Sequence, residues 1–316
     1  MKNIILYLIV LFLTSCCTSR QSKEVQYSSD LSLSIRSYRL QGNEKINKGD
    51  WEGAYRDFIK VIELVPNSDT AFYNLGKISS KLGDNKKAIA YYTKAIEINA
   101  HYLFAYYNRG NSKANLGDIQ GAIDDYTEAI KINPQYTKAY FNRGINKAKR
   151  NDYKGAISDY TQAIKINNQY ANAFYNRGNA KSNLGDNKGA IVDYLKVIEI
   201  NPKYINAYIN LGVVKFDIGD YEGEIATYRQ AIKNCEPDAD LYNNLGRALY
   251  DLKRFKESAQ AYGEGIEHFP EDCKLYYGRG LARYQSGDKD GACEDWHQSS
   301  ELGCIQANAL LSLCAE

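Results

Sequence analysis

Apolar positions along the chain fall into paired helical stripes. Between Phe104 and Asn115, Ala105, Tyr106, Arg109 and Gly110 share one helix face. Between Ile119 and Ile132, Ala122, Ile123, Tyr126, Ala129 and Ile130 follow the i, i+3, i+4, i+7 spacing of an amphipathic helix. Gly117-Asp118 separates the two stripes. Glycine suits the left-handed residue just past a helix end, and aspartate suits the cap of the next helix. The same dipeptide stands at Gly49-Asp50, Gly83-Asp84, Gly185-Asp186, Gly219-Asp220 and Gly287-Asp288, with Asn151-Asp152 as a close substitute. Proline, which cannot continue a helix, follows the second stripe at Pro66, Pro134, Pro202 and Pro270. The pattern predicts a helix–turn–helix unit.

The unit repeats every 34 residues. Glycines recur at Gly42, Gly76, Gly110, Gly144, Gly178, Gly212, Gly246 and Gly280. Twelve residues after each comes a small residue in seven of eight cases, and four further on an aromatic in all: Phe58, Tyr92, Tyr126, Tyr160, Tyr194, Tyr228, Tyr262 and Trp296. A fixed period of this length predicts a solenoid, in which each unit buries its apolar face on its neighbours. The Gly, the small residue, the aromatic and the Pro, with Asn108-Arg109-Gly110, Asn142-Arg143-Gly144 and Asn176-Arg177-Gly178, resemble the tetratricopeptide repeat (TPR) family. That resemblance implies an all-α, right-handed α-solenoid of eight units over residues 35–302. Residues 303–316 are read as a capping helix over the last unit.

Two units depart from the pattern. The sixth has Glu224 where a small residue belongs; the seventh has Lys253-Arg254 at the turn, then Ser258 and Gly265. A carboxylate at a close helix contact is costly unless it reaches water, so Glu224 is expected to be partly exposed.

The N-terminus reads as an address. Lys2 precedes an apolar run from Ile4 to Leu13, too short to span a bilayer as a helix, and Leu13-Thr14-Ser15-Cys16 follows. This ending resembles a bacterial lipobox, which implies cleavage after residue 15 and lipidation of Cys16; an ordinary secretory signal or an uncleaved anchor is the alternative. Residues 16–34, polar and Ser-rich, read as a tether. Cys17 after the lipid site, rather than aspartate, leans toward the outer membrane of a Gram-negative bacterium.

A net charge of +2 leaves no strong nucleic-acid footprint. The three histidines (His101, His268, His297) sit in no metal-ligand spacing, and no CxxC, HExxH, Walker loop or GxSxG occurs, so neither catalysis nor a cofactor is expected. Five of seven cysteines lie in the last 82 residues, and folding the tail back on the last helix sets Cys293 opposite Cys314; a disulfide and two buried thiols are both open readings.

The TPR resemblance implies that the first helix of each unit lines a groove, through its positions two, five, six, nine, twelve and thirteen. Position six carries Asn74, Asn108, Asn142, Asn176, Asn210 and Asn244. Such a row of amides can pair with successive peptide groups of an extended chain, or Asn can simply be common there. Position five offers Tyr73, Tyr107, Phe141, Tyr175 and Tyr277, surfaces for peptide side chains or for sugar rings, or plain packing. Position four, from Tyr38 to Tyr276, is assigned to the core. Groove charges segregate: Arg36, Arg39, Lys77, Lys81, Lys138 and Lys149 lie in units one to five, while Asp217, Asp240 and Asp251 lie in six and seven with Arg247. Arg39, Asn43 and Asn74 match two units of the family's carboxylate clamp, but Phe104 and Asn108 stand where its third unit needs Lys and Arg.

Positions seven and twenty-three change together. Arg109, Arg143, Arg177 and Arg279 accompany Asp125, Asp159, Asp193 and Asp295, whereas Leu75, Leu211 and Leu245 accompany Tyr91, Thr227 and Ala261. A structural contact between the two helices of a unit is expected, with a bidentate ion pair where the residues allow it. The sequence thus reads as a membrane-anchored scaffold that binds a protein partner, an extended segment, in its groove. A carbohydrate or peptidoglycan binder using the tyrosines, and an accessory subunit with an idle groove, are the rivals.

Overall fold

The computed structural model describes residues 30–314. The signal segment 1–15, Cys16 and tether residues 17–29 lie outside the described residues, as do the last two residues of the tail. Among the described residues all regular structure is helical. The first repeat comprises α1 (30–48) and α2 (Trp51–Leu64). Then come α3 (Asp69–Lys81) with α4 (Asn85–Ile98), α5 (Leu103–Asn115) with α6 (Ile119–Ile132), and α7 (Thr137–Lys149) with α8 (Tyr153–Ile166). The second half continues with α9 (Ala171–Asn183), α10 (Asn187–Ile200), α11 (Ile205–Asp217), α12 (Tyr221–Asn234), α13 (Ala239–Asp251), α14 (Phe255–His268), α15 (Cys273–Gln285) and α16 (Lys289–Glu301). The fold is an all-α repeat solenoid. The chain divides into two compact units after Asn146, inside α7. Within each unit consecutive helices pack on one another, and the first helices of neighbouring repeats touch: α3 with α5, α9 with α11, α13 with α15.

Local chemistry explains the elements. Gly117 has φ +83°, and the Asp118 carboxylate then accepts from the Gly121 amide at 2.9 Å, ending one helix and starting the next. The same cap recurs at Asp50, Asp84, Asp152, Asp186, Asp220 and Asp288. Repeat seven has neither device: Lys253 holds φ +60° with a Cβ, and Arg254 supplies no side-chain cap. Arg254 instead forms a fork with Glu257 (2.7 and 2.6 Å) and also reaches Glu222.

The periodic glycine makes room for the periodic aromatic of its own repeat. A Cβ on Gly110 would stand 2.8 Å from the Tyr126 ring, and the same contact pairs Gly178 with Tyr194 and Gly280 with Trp296. The rings Tyr92, Tyr126, Tyr194, Tyr228 and Trp296 are buried as a result, beside Ala88, Ala122, Ala190 and Ala292.

Three expectations are corrected. Residues 30–34, read as tether, already belong to α1, where the Ser34 hydroxyl donates to the Asp30 carbonyl at 2.9 Å. The tail is not one capping helix but a four-residue helix, α17 (Ile305–Asn308), and a 3-10 turn, Leu311–Cys314. So short a segment gains little from helix propagation, and its path is set by tethers at Cys304 and Cys314 and by Ala307, buried with Ala292 and Trp296. Third, Glu224 is not exposed: its relative accessibility is 1%. Burial pushes its carboxyl up to about 7, against the nearby Arg247 guanidinium, so near neutral pH the group is readily held as an acid. The cost that argued for exposure is avoided by partial loss of the charge rather than by water.

Candidate functional site

The first helices carry the groove positions, and in the regular repeats those positions are bonded to each other. Asn142 Nδ2 donates to the Tyr107 hydroxyl at 3.1 Å and to Asn111 Oδ1 at 2.9 Å, and the Tyr126 hydroxyl donates to the same Asn111 Oδ1 at 2.8 Å. Repeats five and six repeat the arrangement: Asn210 Nδ2 meets the Tyr175 hydroxyl at 3.0 Å and Asn179 Oδ1 at 2.9 Å, and the Tyr194 hydroxyl donates to Asn179 at 2.7 Å. Asn108 reaches the Tyr73 hydroxyl at 3.1 Å. Position six of one repeat is therefore hooked to position five, and where possible nine, of the repeat before. Two amide protons are spent in Asn142 and Asn210, so only Oδ1 remains to accept from a partner's N–H.

Where the preceding repeat lacks the tyrosine, the amide behaves differently. Asn176 turns to its own helix and donates to the Asn172 carbonyl at 2.8 Å. Asn74 and Asn244 make no side-chain hydrogen bond among the described residues. Asn43 is exposed, and Arg39 donates to Ser68 Oγ at 3.1 Å, while Phe104 is 49% exposed at the clamp's missing position.

The position-five rings are half-buried and flanked by other rings. Tyr73 lies 5.0 Å from Tyr102, Tyr107 lies 5.1 Å from Tyr136, and Tyr175 lies 5.2 Å from Tyr204. Burial raises the Tyr73 phenol above its ordinary value and lifts Tyr102 and Tyr136 to about 12, so these hydroxyls stay protonated and available as donors. Phe141, in α7, is half-buried.

In repeats three, five and eight, arginine–aspartate pairs join the two helices of the repeat. Arg109 meets Asp125 with two parallel bonds of 2.9 and 2.7 Å and donates to Thr93 Oγ1 of the repeat before at 3.0 Å. Lys113 adds an ion pair to the same carboxylate at 2.9 Å. Arg177 and Lys181 treat Asp193 alike, and Arg279 and Arg283 share Asp295. Each arginine also lies over the position-four ring of its own helix, as Arg177 does over Phe174 at 5.4 Å. In repeat six, with Leu211 buried, Lys215 donates to Thr227 Oγ1 at 2.9 Å instead.

On the groove positions, Arg36, Lys77, Lys81, Lys138 and Lys149 form no ion pair among the described residues, and neither do Asp217, Asp240 or Asp251. On α11 three groove positions are apolar: Val213 and Phe216 are exposed beside half-buried Ile209.

The cysteines close the end of the chain. Cys293 and Cys314 are joined, and so are Cys273 and Cys304, a pair the sequence reading did not single out. Cys235 is a free, partly buried thiol. No His, Cys, Asp or Glu cluster among the described residues could hold a metal ion, and no described helix is long and apolar enough to cross a membrane.

Comparison with known families agrees with this geometry. The Tetratricopeptide repeat family matches residues 70–102, 104–136 and 171–204, with further matches to the same repeat over 147–185, 205–237 and 239–272. The fold and its repeating face define an α-helical scaffold of the protein-interaction class, generally without enzymatic activity. The chain belongs to the tetratricopeptide repeat family. No curated protein matches the sequence. Among solved structures, MamA is 28% identical over 54% of this chain and 92% of its own, with a TM-score of 0.51. A tetratricopeptide repeat protein from Parabacteroides merdae is 18% identical over 90% of this chain and 99% of its own, with a TM-score of 0.55. YrrB, described as a TPR protein with an unusual peptide-binding site, is 24% identical over 62% of this chain and 97% of its own, with a TM-score of 0.53. At those last two identities the likeness is one of fold.

Proposed function

We propose that the chain is a lipid-anchored scaffold of the bacterial cell envelope that binds an extended segment of a partner protein along the face of its first helices, and that it is not an enzyme. One observation carries the binding part. The groove side chains are preorganised by the Asn–Tyr hooks, with the Oδ1 of Asn142 and Asn210 left as an acceptor and the groove charges left without ion pairs among the described residues. A rigid row of acceptors and charges lowers the ordering cost of holding a chain. The glycan reading requires open ring faces, and the rings of Tyr73, Tyr107 and Tyr175 are each flanked by a second tyrosine.

The envelope part rests on the lipobox-like Leu13-Thr14-Ser15-Cys16 and on the two disulfides, which suit an oxidising compartment. The outer membrane is the proposed address. Two measurements test these parts. A photo-crosslinking residue placed at Lys138 or Phe216 should capture a protein from intact cells, and one at Lys131 or Lys94 on second helices should not; the opposite pattern would favour a partner held on the other face. Radiolabelled fatty acid should enter the wild type and not Cys16→Ser; label in the variant would remove the anchor.

A further inference from the structure

Three lattice places close on each other in repeats three to four and five to six: Tyr107, Asn111 and Asn142, then Tyr175, Asn179 and Asn210. At repeats seven to eight the same places hold Asn243, Arg247 and Gly278. The tyrosine ring and the asparagine amide are both missing, and a cavity of about 450 Å³ opens between α13 and α15. Tyr250, Tyr262, Tyr277 and Leu281 form its walls, and the C-terminal turn contributes Cys304 and Gln306. Gly278 is required by the site: a Cβ there would run into the Tyr262 ring.

Two cations line the cavity, Arg247 and Lys274, and no acid does. Both are exposed, and neither makes an ion pair or side-chain hydrogen bond among the described residues; Arg247 lies near enough to the buried Glu224 to act on its carboxyl, without bonding to it. This differs from the arginines below the groove, each of which is tied to an aspartate. An aromatic-walled cavity with an unpaired guanidinium and ammonium suits a flat or bulky apolar group carrying a carboxylate.

We propose that this cavity is a specificity pocket for a peptide carboxylate next to a large apolar side chain. The inference rests on the reading of the chain as a protein-binding scaffold, and it assigns the chemistry of one anchor in the bound segment. The carboxylate is either a chain terminus or an Asp or Glu side chain. The apolar group takes the volume that Tyr107 and Asn142 fill elsewhere, and the carboxylate bridges Arg247 and Lys274.

Fluorescence polarisation on the full-length protein tests this with three labelled Gly/Ser peptides: one ending in phenylalanine with a free carboxylate, the same peptide amidated, and an amidated peptide with an internal Phe-Glu. Binding of the free acid over its amide assigns a chain terminus, and binding of the Phe-Glu peptide assigns a side chain. Arg247→Gln and Lys274→Gln should each weaken the bound probe about tenfold, in line with loss of one charge-assisted contact. Both side chains are exposed, but Arg247 also acts on the buried Glu224 carboxyl, so circular dichroism melts are compared at pH 5, where Glu224 holds its proton, and there both variants should match the wild type. Equal binding of the neutral amide, unchanged binding by the double variant, or no binding of any probe would overturn the proposal. The crosslinking positions Lys138 and Phe216 are not in the pocket, so the pocket and the scaffold reading fail separately.

Discussion

Repeat five and repeat six, both in the second compact unit, solve the same packing problem in opposite ways. Repeat five joins its helices through Arg177 and a 1% exposed Asp193, with Lys181 on the second carboxylate oxygen. Repeat six puts Leu211 and Thr227 in those places and buries Glu224 where repeat five has Ala190. Above them, repeat five offers Tyr175 and Asn179 to the next repeat's amide, while repeat six offers Ile209 and Val213 and leaves Asn244 free. The difference teaches that one backbone plan tolerates both a charged and an apolar helix crossing. It also shows that the groove lattice is closed only where tyrosine and asparagine recur together. The open places follow from the apolar and irregular repeats.

The largest expected effect comes from breaking the charged crossing. Asp193→Ala strands Arg177 and Lys181 beneath the groove and should cost about 3–5 kcal/mol in denaturant unfolding. Thr227→Ala, the matching change in repeat six, loses the contact with Lys215 and the bond to the Gly223 carbonyl but breaks no buried ion pair, and should cost about 1–2 kcal/mol. Installing the repeat-six pair in repeat five (Arg177→Leu with Asp193→Thr) should recover more than half of the loss, because the guanidinium is gone and Lys181 can donate to the new hydroxyl as Lys215 does to Thr227. Equal costs for the two single changes would erase the distinction between the crossings.

Next come the disulfides that hold the last repeat. Removing the Cys273–Cys304 bond with a double Ser substitution should lower stability by about 2–4 kcal/mol through the freed loop. The loss should appear in thermal melts of the C-terminal unit and vanish from the comparison when both proteins are reduced.

The buried acid of repeat six gives a pH-dependent test. Burial lifts the Glu224 carboxyl from its ordinary 4.5 to about 7 in the folded protein, so the folded state holds the proton more tightly. Stability is therefore lost as pH rises from about 4.5 through 7, and the full penalty for the buried carboxylate applies above that. Glu224→Gln should stabilise by roughly 1–3 kcal/mol at pH 8 and by much less at pH 5. A benefit independent of pH would mean that the side chain is ionised throughout.

Much of this was legible in the sequence, and the reasons are physical. The 34-residue period, the Gly-Asp turns and the paired change of positions seven and twenty-three are local, since each joins residues within one repeat. The Asn–Tyr hook was missed because it joins residues in different repeats: Asn108 and Tyr73 are 35 positions apart. Its signal was present, since a Tyr at position five precedes each hooked Asn and is absent before Asn176 and Asn244. Glu224 was misread because a fixed charge was assumed, and a carboxyl can give that charge up. Cys273–Cys304 was missed because only the turn of the tail was followed, and not the path of its first residues.

The smallest effect concerns the irregular turn of repeat seven. Lys253→Gly should stabilise by about 0.5–1 kcal/mol by removing a Cβ at φ +60°. No gain would show that the Arg254 fork with Glu257 needs the lysine backbone as it stands.

The central claim is that the groove asparagines of the regular repeats are structural hooks before they are ligand contacts. A double-mutant cycle on Tyr175→Phe and Asn210→Ala, read by denaturant unfolding of the full-length protein, tests it most directly. The hydroxyl and the amide are 3.0 Å apart, so a coupling of about 1 kcal/mol is expected. Strictly additive costs would show that the two residues stand side by side without holding each other, and would return the asparagine row to a surface whose amides await a partner.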